Sequence, residues 1–235
     1  LSYIDGRKVK KVKKYQLKSC LQFIKKINYR TVYKNFRFQK AADSCLSIHD
    51  HVQSCKTRIT KLIKKNTNNK NIENRKILSF LEKEIEPAFK KINLEIDKKF
   101  SRSDKIKKIN YKNMILSPSD FGFHNIIEKK NKLYFIDFEY AGWDDPIKLL
   151  CDFILNPDYT ISNLNKNYFL DNFNLILEKK IFNPVKYRIL VKFHFLKWVC
   201  VILNQLDIEI SKKNDNFKYF KKAVNYFNKN KNILK

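Results

Sequence analysis

Apolar residues return at helical spacing along most of the chain. Leu17, Cys20, Leu21 and Ile24 fall on one face of a helix expected over 13–28. Cys45, Ile48, Val52, Cys55, Ile59 and Leu62 form a second stripe over 42–65, which Asp43 or Ser44 would cap. The polar stretch 67–71 reads as a loop. Helical pattern resumes from Ile72 to Phe100. Pro87 marks a kink or junction there, because proline lacks the N–H that the helix ladder needs. Further helices are expected over 163–178, 185–206 and 214–230, while residues 1–10 look extended with Gly6 as a bend.

The pattern changes at residue 114. MILSPSDFGFHNII is apolar, then turn-like, then apolar again; EKKNK at 128–132 is a polar turn, and LYFIDF at 133–138 is a short β run. Asp145 before Pro146 is a cap followed by a first-turn proline, and Pro157 closes the helix that follows. The fold class is therefore α+β, mostly α, with one β-hairpin near the middle.

Candidate chemistry concentrates at that hairpin. Asn125 begins one strand and Asp137 ends the next, both equally far from residue 131. In a simple hairpin they face each other, with Cβ atoms about 4.5–5.5 Å apart. An amide oxygen and a carboxylate at that separation can share one Mg²⁺, with water and phosphate oxygens completing the shell. Asp120 is left in the preceding loop as a carboxylate able to accept a proton from an attacking hydroxyl, the minimal equipment for phosphoryl transfer.

Composition narrows the choices. Three glycines, Gly6, Gly122 and Gly142, cannot build a GxxxxGKS/T or GxGxxG phosphate loop. The net charge of +27 raises the question of a polyanion partner. Lysines far outnumber arginines and are scattered, and Lys, Asn, Ile, Phe and Tyr are abundant together. The charge therefore reads as compositional bias, and nucleic acid is not the expected partner. The five cysteines are odd in number and form no CxxC, so neither a disulfide framework nor a zinc site is expected, and a reducing cytoplasm fits. His49 and His51 point to different faces of a helix. The most apolar stretch, Ile189 to Leu203, is broken by Lys192 and Lys197 and reads as a buried helix, with no membrane span expected.

The words SPSDFGFHN and FIDFEYAGWDDPIKLLCDF resemble the aminoglycoside phosphotransferase and choline kinase superfamily, usually HGDxxxxN then IDxxxAxxxDPxxDLA. They look closest to a bacterial phosphotransferase subgroup with PSDFGFHN in the first position. The resemblance runs from about residue 1 to 210 and is specific around 115–155. The pattern departs from the usual one at Pro118, which stands where the family has a histidine, and at His124.

The resemblance implies a protein-kinase-like C-terminal lobe over 13–235, preceded by an interlobe hinge over 1–12. The β-rich N-terminal lobe is absent from this chain and expected upstream. It further implies a cytoplasmic small-molecule kinase that moves the γ-phosphate of ATP, with Mg²⁺, to a hydroxyl of a sugar, aminoglycoside or amino alcohol. By the same resemblance Asp120 is the base, Asn125 and Asp137 hold the metal, and Ser119, His124, Asp145 and Asp152 support the site. Ile4 and Gly6 in the hinge would lie near the nucleotide. Tyr140, Trp143 and Trp198 are candidates for an acceptor cage. The short step from Phe138 to Asp144 leaves no room for the long segment with which protein kinases bind peptides. Apolar surface is expected near the hinge and hairpin. The alternatives are a kinase-like fragment without turnover and a basic nucleic-acid-binding protein, which would show steep salt dependence.

Overall fold

The computed structural model describes residues 3–29, 38–68, 71–176, 183–204 and 216–235. The expected helix ends at 177–178, 205–206 and 214–215, and the loop positions 69–70, lie outside the described residues. In chain order the elements begin with β1 (Arg7–Lys8), α1 (Lys14–Ile27), α2 (Ile48–Thr67), α3 (Ile72–Phe80), a π-helical turn (Leu81–Ile85), α4 (Glu86–Lys99) and α5 (Arg102–Ile106). They continue with β2 (Ile115–Ser117), β3 (Ile126–Lys129), β4 (Lys132–Phe135) and β5 (Gly142–Asp144). The helices α6 (Pro146–Leu155), α7 (Asn163–Ile176), α8 (Pro184–Asn204) and α9 (Asn216–Asn230) follow.

Two compact units result: Leu1–Leu46 with Ile109–Pro184, and Ser47–Lys108 with Val185–Lys235. Of the expected hinge over 1–12, residues 3–12 are part of the first, and residues 1–2 lie outside the described residues.

In the first unit, α1 buries Leu17, Cys20, Leu21 and Ile24 as its spacing demands. The hairpin β3–β4 pairs Ile126 with Phe135 and Lys129 with Lys132, so its turn is the two residues Lys130 and Asn131. Both have positive φ, 49° and 61°, as a turn matched to strand twist requires. β1 adds antiparallel to the other edge of β3, giving the order β1-β3-β4. A second sheet pairs β2 with β5, Leu116 opposite Trp143. The Asn28 side chain acts as a further strand for β2, accepting from Leu116 N–H at 2.7 Å and donating to Leu116 O at 3.0 Å. An aromatic stack fills the core: the Phe153 ring is 5.1 Å from Phe121, 5.6 Å from Phe123 and 4.4 Å from Phe169.

In the second unit the start of α2 differs from expectation. Neither Asp43 nor Ser44 caps it; Ser47 does, its Oγ accepting from Asp50 N–H at 3.1 Å while Ser47 N–H donates to Asp50 Oδ2 at 3.0 Å. This reciprocal box outcompetes a lone carboxylate. At Pro87 the helix neither breaks nor restarts; α3 runs through the π-helical turn into α4, with Pro87 in the first turn of α4. A wider turn accommodates a residue that cannot donate. Ile59, Leu62, Ile77, Leu81, Ile92, Phe193 and Phe227 are among the buried residues. Among the described residues no helix is long and apolar enough to cross a membrane. All five cysteines are buried and none forms a disulfide.

Candidate active site

The loop after β2 is wound tightly. Ser119 N–H donates to Ser117 Oγ at 3.0 Å, Asp120 N–H to Pro118 O at 3.0 Å, and Ser119 Oγ to Ala42 O at 2.8 Å. Ser119 itself sits at φ 67°, a left-handed conformation that costs about 1–2 kcal/mol outside glycine. Phe121 and Phe123 then plunge into the aromatic core, which leaves Asp120 on the surface with its side chain 55% exposed. A single 3₁₀ turn, Phe123–Asn125, delivers Asn125 to the start of β3.

Asp120 and Asn125 are in direct contact. Asn125 Nδ2 donates to Asp120 O at 3.1 Å and to Asp120 Oδ2 at 3.3 Å. With its nitrogen so engaged, the amide leaves Oδ1 as its remaining acceptor. His124 Nε2 lies 3.0 Å from Asp120 Oδ1, and His124 Nδ1 lies 3.2 Å from Asn156 Nδ2. The hydrogen bond from His124 holds the Asp120 carboxyl below its ordinary range; partial burial works against it, and Asn125 adds to the lowering.

Asp137 is not opposite Asn125. The turn is centred between Lys130 and Asn131, one half-step from residue 131, so the residue facing Asn125 is Ile136, whose N–H donates to Asn125 O at 3.1 Å. Asp137 is the next residue, exposed and at φ 66°, where the chain leaves the ladder. Asp137 is thus one residue beyond Asn125's partner, held there by left-handed backbone. An amide oxygen and a carboxylate are hard donors that suit Mg²⁺ with phosphate and water oxygens, and do not suit a soft metal. Among the described residues no group of three or more His, Cys, Asp or Glu side chains gathers as a metal cluster.

Behind the loop, Asp145 caps α6, accepting from Ile147 N–H at 2.8 Å. Beside it is an ionic cluster that sequence reasoning missed. Lys148 Nζ lies 3.1 Å from Asp144 Oδ2 and 3.3 Å from Asp152 Oδ2, with side-chain exposures of 4%, 0% and 11%. The i, i+4 spacing 144-148-152 was the available signal. Asp144 Oδ1 also accepts from Cys45 N–H at 3.0 Å and Asp145 N–H at 2.8 Å. Burial pushes the Asp144 carboxyl upward despite these partners. Burial pushes Lys148 down, but Asp152 and Asp144 outweigh it and hold the ammonium firmly protonated.

At the expected hinge, Ile4 is half-buried and Gly6 lies against β3, where a Cβ would come within 2.4 Å of Ile127 Cγ2. Glu128, also missed, anchors this segment: its buried carboxylate accepts from Arg7 Nε at 2.9 Å, Gln16 Nε2 at 3.1 Å and the Tyr15 hydroxyl. Of the aromatic candidates, Tyr140 is exposed, and Trp143 meets Tyr111 at 4.9 Å and Phe38 at 6.3 Å. Trp198 belongs to the second unit, with Lys197 Nζ 5.7 Å from its ring. Phe138 and Tyr140 leave an apolar surface beside the hairpin, 44% and 53% exposed.

No family model matches the chain. No curated protein matches it either. Among solved structures it is similar to a choline kinase from Cryptosporidium parvum, with 14% identity and a TM-score of 0.47, over 99% of this chain and 70% of that one.

Proposed function

We propose that this chain carries the metal and base side of a small-molecule kinase site. The observation that carries the reading is the contact between Asn125 and Asp120 beside Ile136, the residue that precedes Asp137. One carboxylate stands ready for a hydroxyl, and an amide and a second carboxylate stand ready for a phosphate-bound cation.

The acceptor hydroxyl binds against Asp120. With its carboxyl held below the ordinary range, Asp120 is ionised at neutral pH and accepts a hydrogen bond from that hydroxyl, aligning its oxygen on the γ-phosphorus of ATP. The acceptor oxygen forms the new O–P bond, the bond to the β-phosphate oxygen breaks, ADP leaves, and the hydroxyl proton passes to Asp120. Asn125 Oδ1 and the Asp137 carboxylate would hold Mg²⁺. Bound there, the ion supplies charge neutralisation for the phosphates.

The acceptor class is a small polar alcohol. Only a few residues separate Phe138 from β5, too few for a peptide-binding segment. Incubating the full-length protein with MgATP and a panel of sugars, amino alcohols and model proteins tests this. Phosphorylation of a small alcohol with matching ADP release is expected; phosphorylation of proteins alone would overturn the acceptor class.

A further inference from the structure

His124 is not exposed enough to be a chance surface contact of Asp120; its side chain is 23% exposed and it is gripped from the far side. Asn156, itself buried, uses Oδ1 to accept from Asp158 N–H at 2.9 Å. That bond fixes the amide's orientation, since turning it over would set its NH₂ against the Asp158 N–H. Nδ2 therefore faces His124 Nδ1 as a donor, and Nδ1 must accept. In the neutral ring the hydrogen then sits on Nε2, the atom 3.0 Å from Asp120 Oδ1.

Space for the ring comes from Gly122. Its φ of −171° is extended backbone open to any residue, so conformation is not the reason for glycine. A Cβ at this position would lie 2.6 Å from His124 Cε1, 2.7 Å from His124 Nδ1 and 3.2 Å from Tyr159 Oη. Tyr159 cannot retreat, being buried with its hydroxyl donating to Phe153 O at 2.5 Å.

We propose that His124 is a positioning residue for Asp120, locked by Asn156 as the Nε2–H tautomer. Its N–H fixes one carboxylate oxygen while Asn125 holds the other, so the plane of the carboxylate is set before the acceptor arrives. This role rests on the reading of Asp120 as the base. A merely structural histidine would not depend on which ring nitrogen carries the hydrogen.

Two measurements on the full-length protein test it. The first is the ring ¹⁵N spectrum, followed upward in pH until the ring signals no longer change. The four histidines are distinguished by loss of one signal set in His124→Gln. The wild type should show the Nε2–H pattern, and Asn156→Asp, whose carboxylate can only accept, should bring a hydrogen onto Nδ1 and end that pattern. The second is kinetics with MgATP and the acceptor. Asn156→Asp and His124→Ala should lower kcat about 10–100-fold with KM for ATP nearly unchanged, and His124→Gln, which keeps a donor, should recover part of the loss. An Nδ1–H wild-type ring would overturn the positioning role while leaving an active enzyme's base reading intact. So would a kcat unchanged by both substitutions in folded protein. An Nε2–H ring in a protein that phosphorylates no acceptor would overturn the reading of Asp120 as base, and the positioning role with it.

Discussion

Replacing Lys148 with methionine removes a buried charge while keeping the length of the side chain. Its ammonium sits 3.1 Å from one Asp144 oxygen and 3.3 Å from one Asp152 oxygen. With an effective dielectric constant of about 20, each attraction is worth about 5 kcal/mol before desolvation. Desolvation of the three groups cancels much of that gross gain, but it is not recovered when only the cation goes. Lys148→Met leaves two carboxylates facing each other in the interior, and breaking such a pair costs about 3–5 kcal/mol. Urea unfolding at neutral pH should show a loss of that size. The loss should also depend on pH. Burial already holds the Asp144 carboxyl high, and without Lys148 it rises further. A carboxylate with a raised folded pKa favours the folded state fully below the unfolded value, and that stability is lost as pH rises through the folded one. The deficit of Lys148→Met is therefore largest near neutrality and shrinks towards about pH 4. The double variant Asp144→Asn/Lys148→Met should lose less than the two single losses added. A deficit under about 1 kcal/mol at pH 7, or one independent of pH, would refute the reasoning.

Other predictions follow from neighbouring groups. Glu128→Gln should cost about 2 kcal/mol, chiefly through Tyr15 and Gln16, since the exposed Arg7 adds little. The Tyr15 hydrogen bond, ahead of those from Arg7 and Gln16, holds Glu128 below the ordinary Glu value of about 4.3 despite burial. Its stability is therefore present above that pH and lost on acidification, and acid titration of unfolding should be flatter in the variant. Asn125→Ala and Asp137→Ala should each weaken Mg²⁺-dependent ATP binding, with a coupling of about 1–3 kcal/mol in calorimetry; strictly additive losses would mean that they share no ion. Changing Lys130 to Asn together with Asn131→Gly relieves the left-handed strain of the hairpin turn and should raise stability by about 1 kcal/mol in thermal unfolding.

Much of the helical framework was legible because burial of one face leaves a strong periodic trace, as in α1, where the four expected residues are buried. The start of α2 was not, since a polar cap can sit at any of several nearby positions and only the Ser47–Asp50 reciprocity decides. The hairpin was legible, but its register was off by one residue. EKKNK has no glycine to mark the turn, and Lys130 and Asn131 adopt positive φ without that signal. The sheet of β2 and β5 was missed because strands of three residues are too short to show alternation. At the site, the spacing of Asp120 and Asn125 was readable because it is local. The bracing through Asn156 joins residues 32 positions apart, and no local pattern announces such a pair.

The most direct test is the turnover of Asp120→Asn in the full-length protein, measured beside its MgATP affinity. The substitution keeps the size of the side chain, removes the proposed proton acceptor, and sets an NH₂ against one of the two donors, Asn125 Nδ2 or His124 Nε2. A fall in kcat of about 10²–10⁴-fold, with nucleotide affinity nearly unchanged, is the predicted result. A variant that phosphorylates its true acceptor at close to the wild-type rate would contradict the assignment of this site.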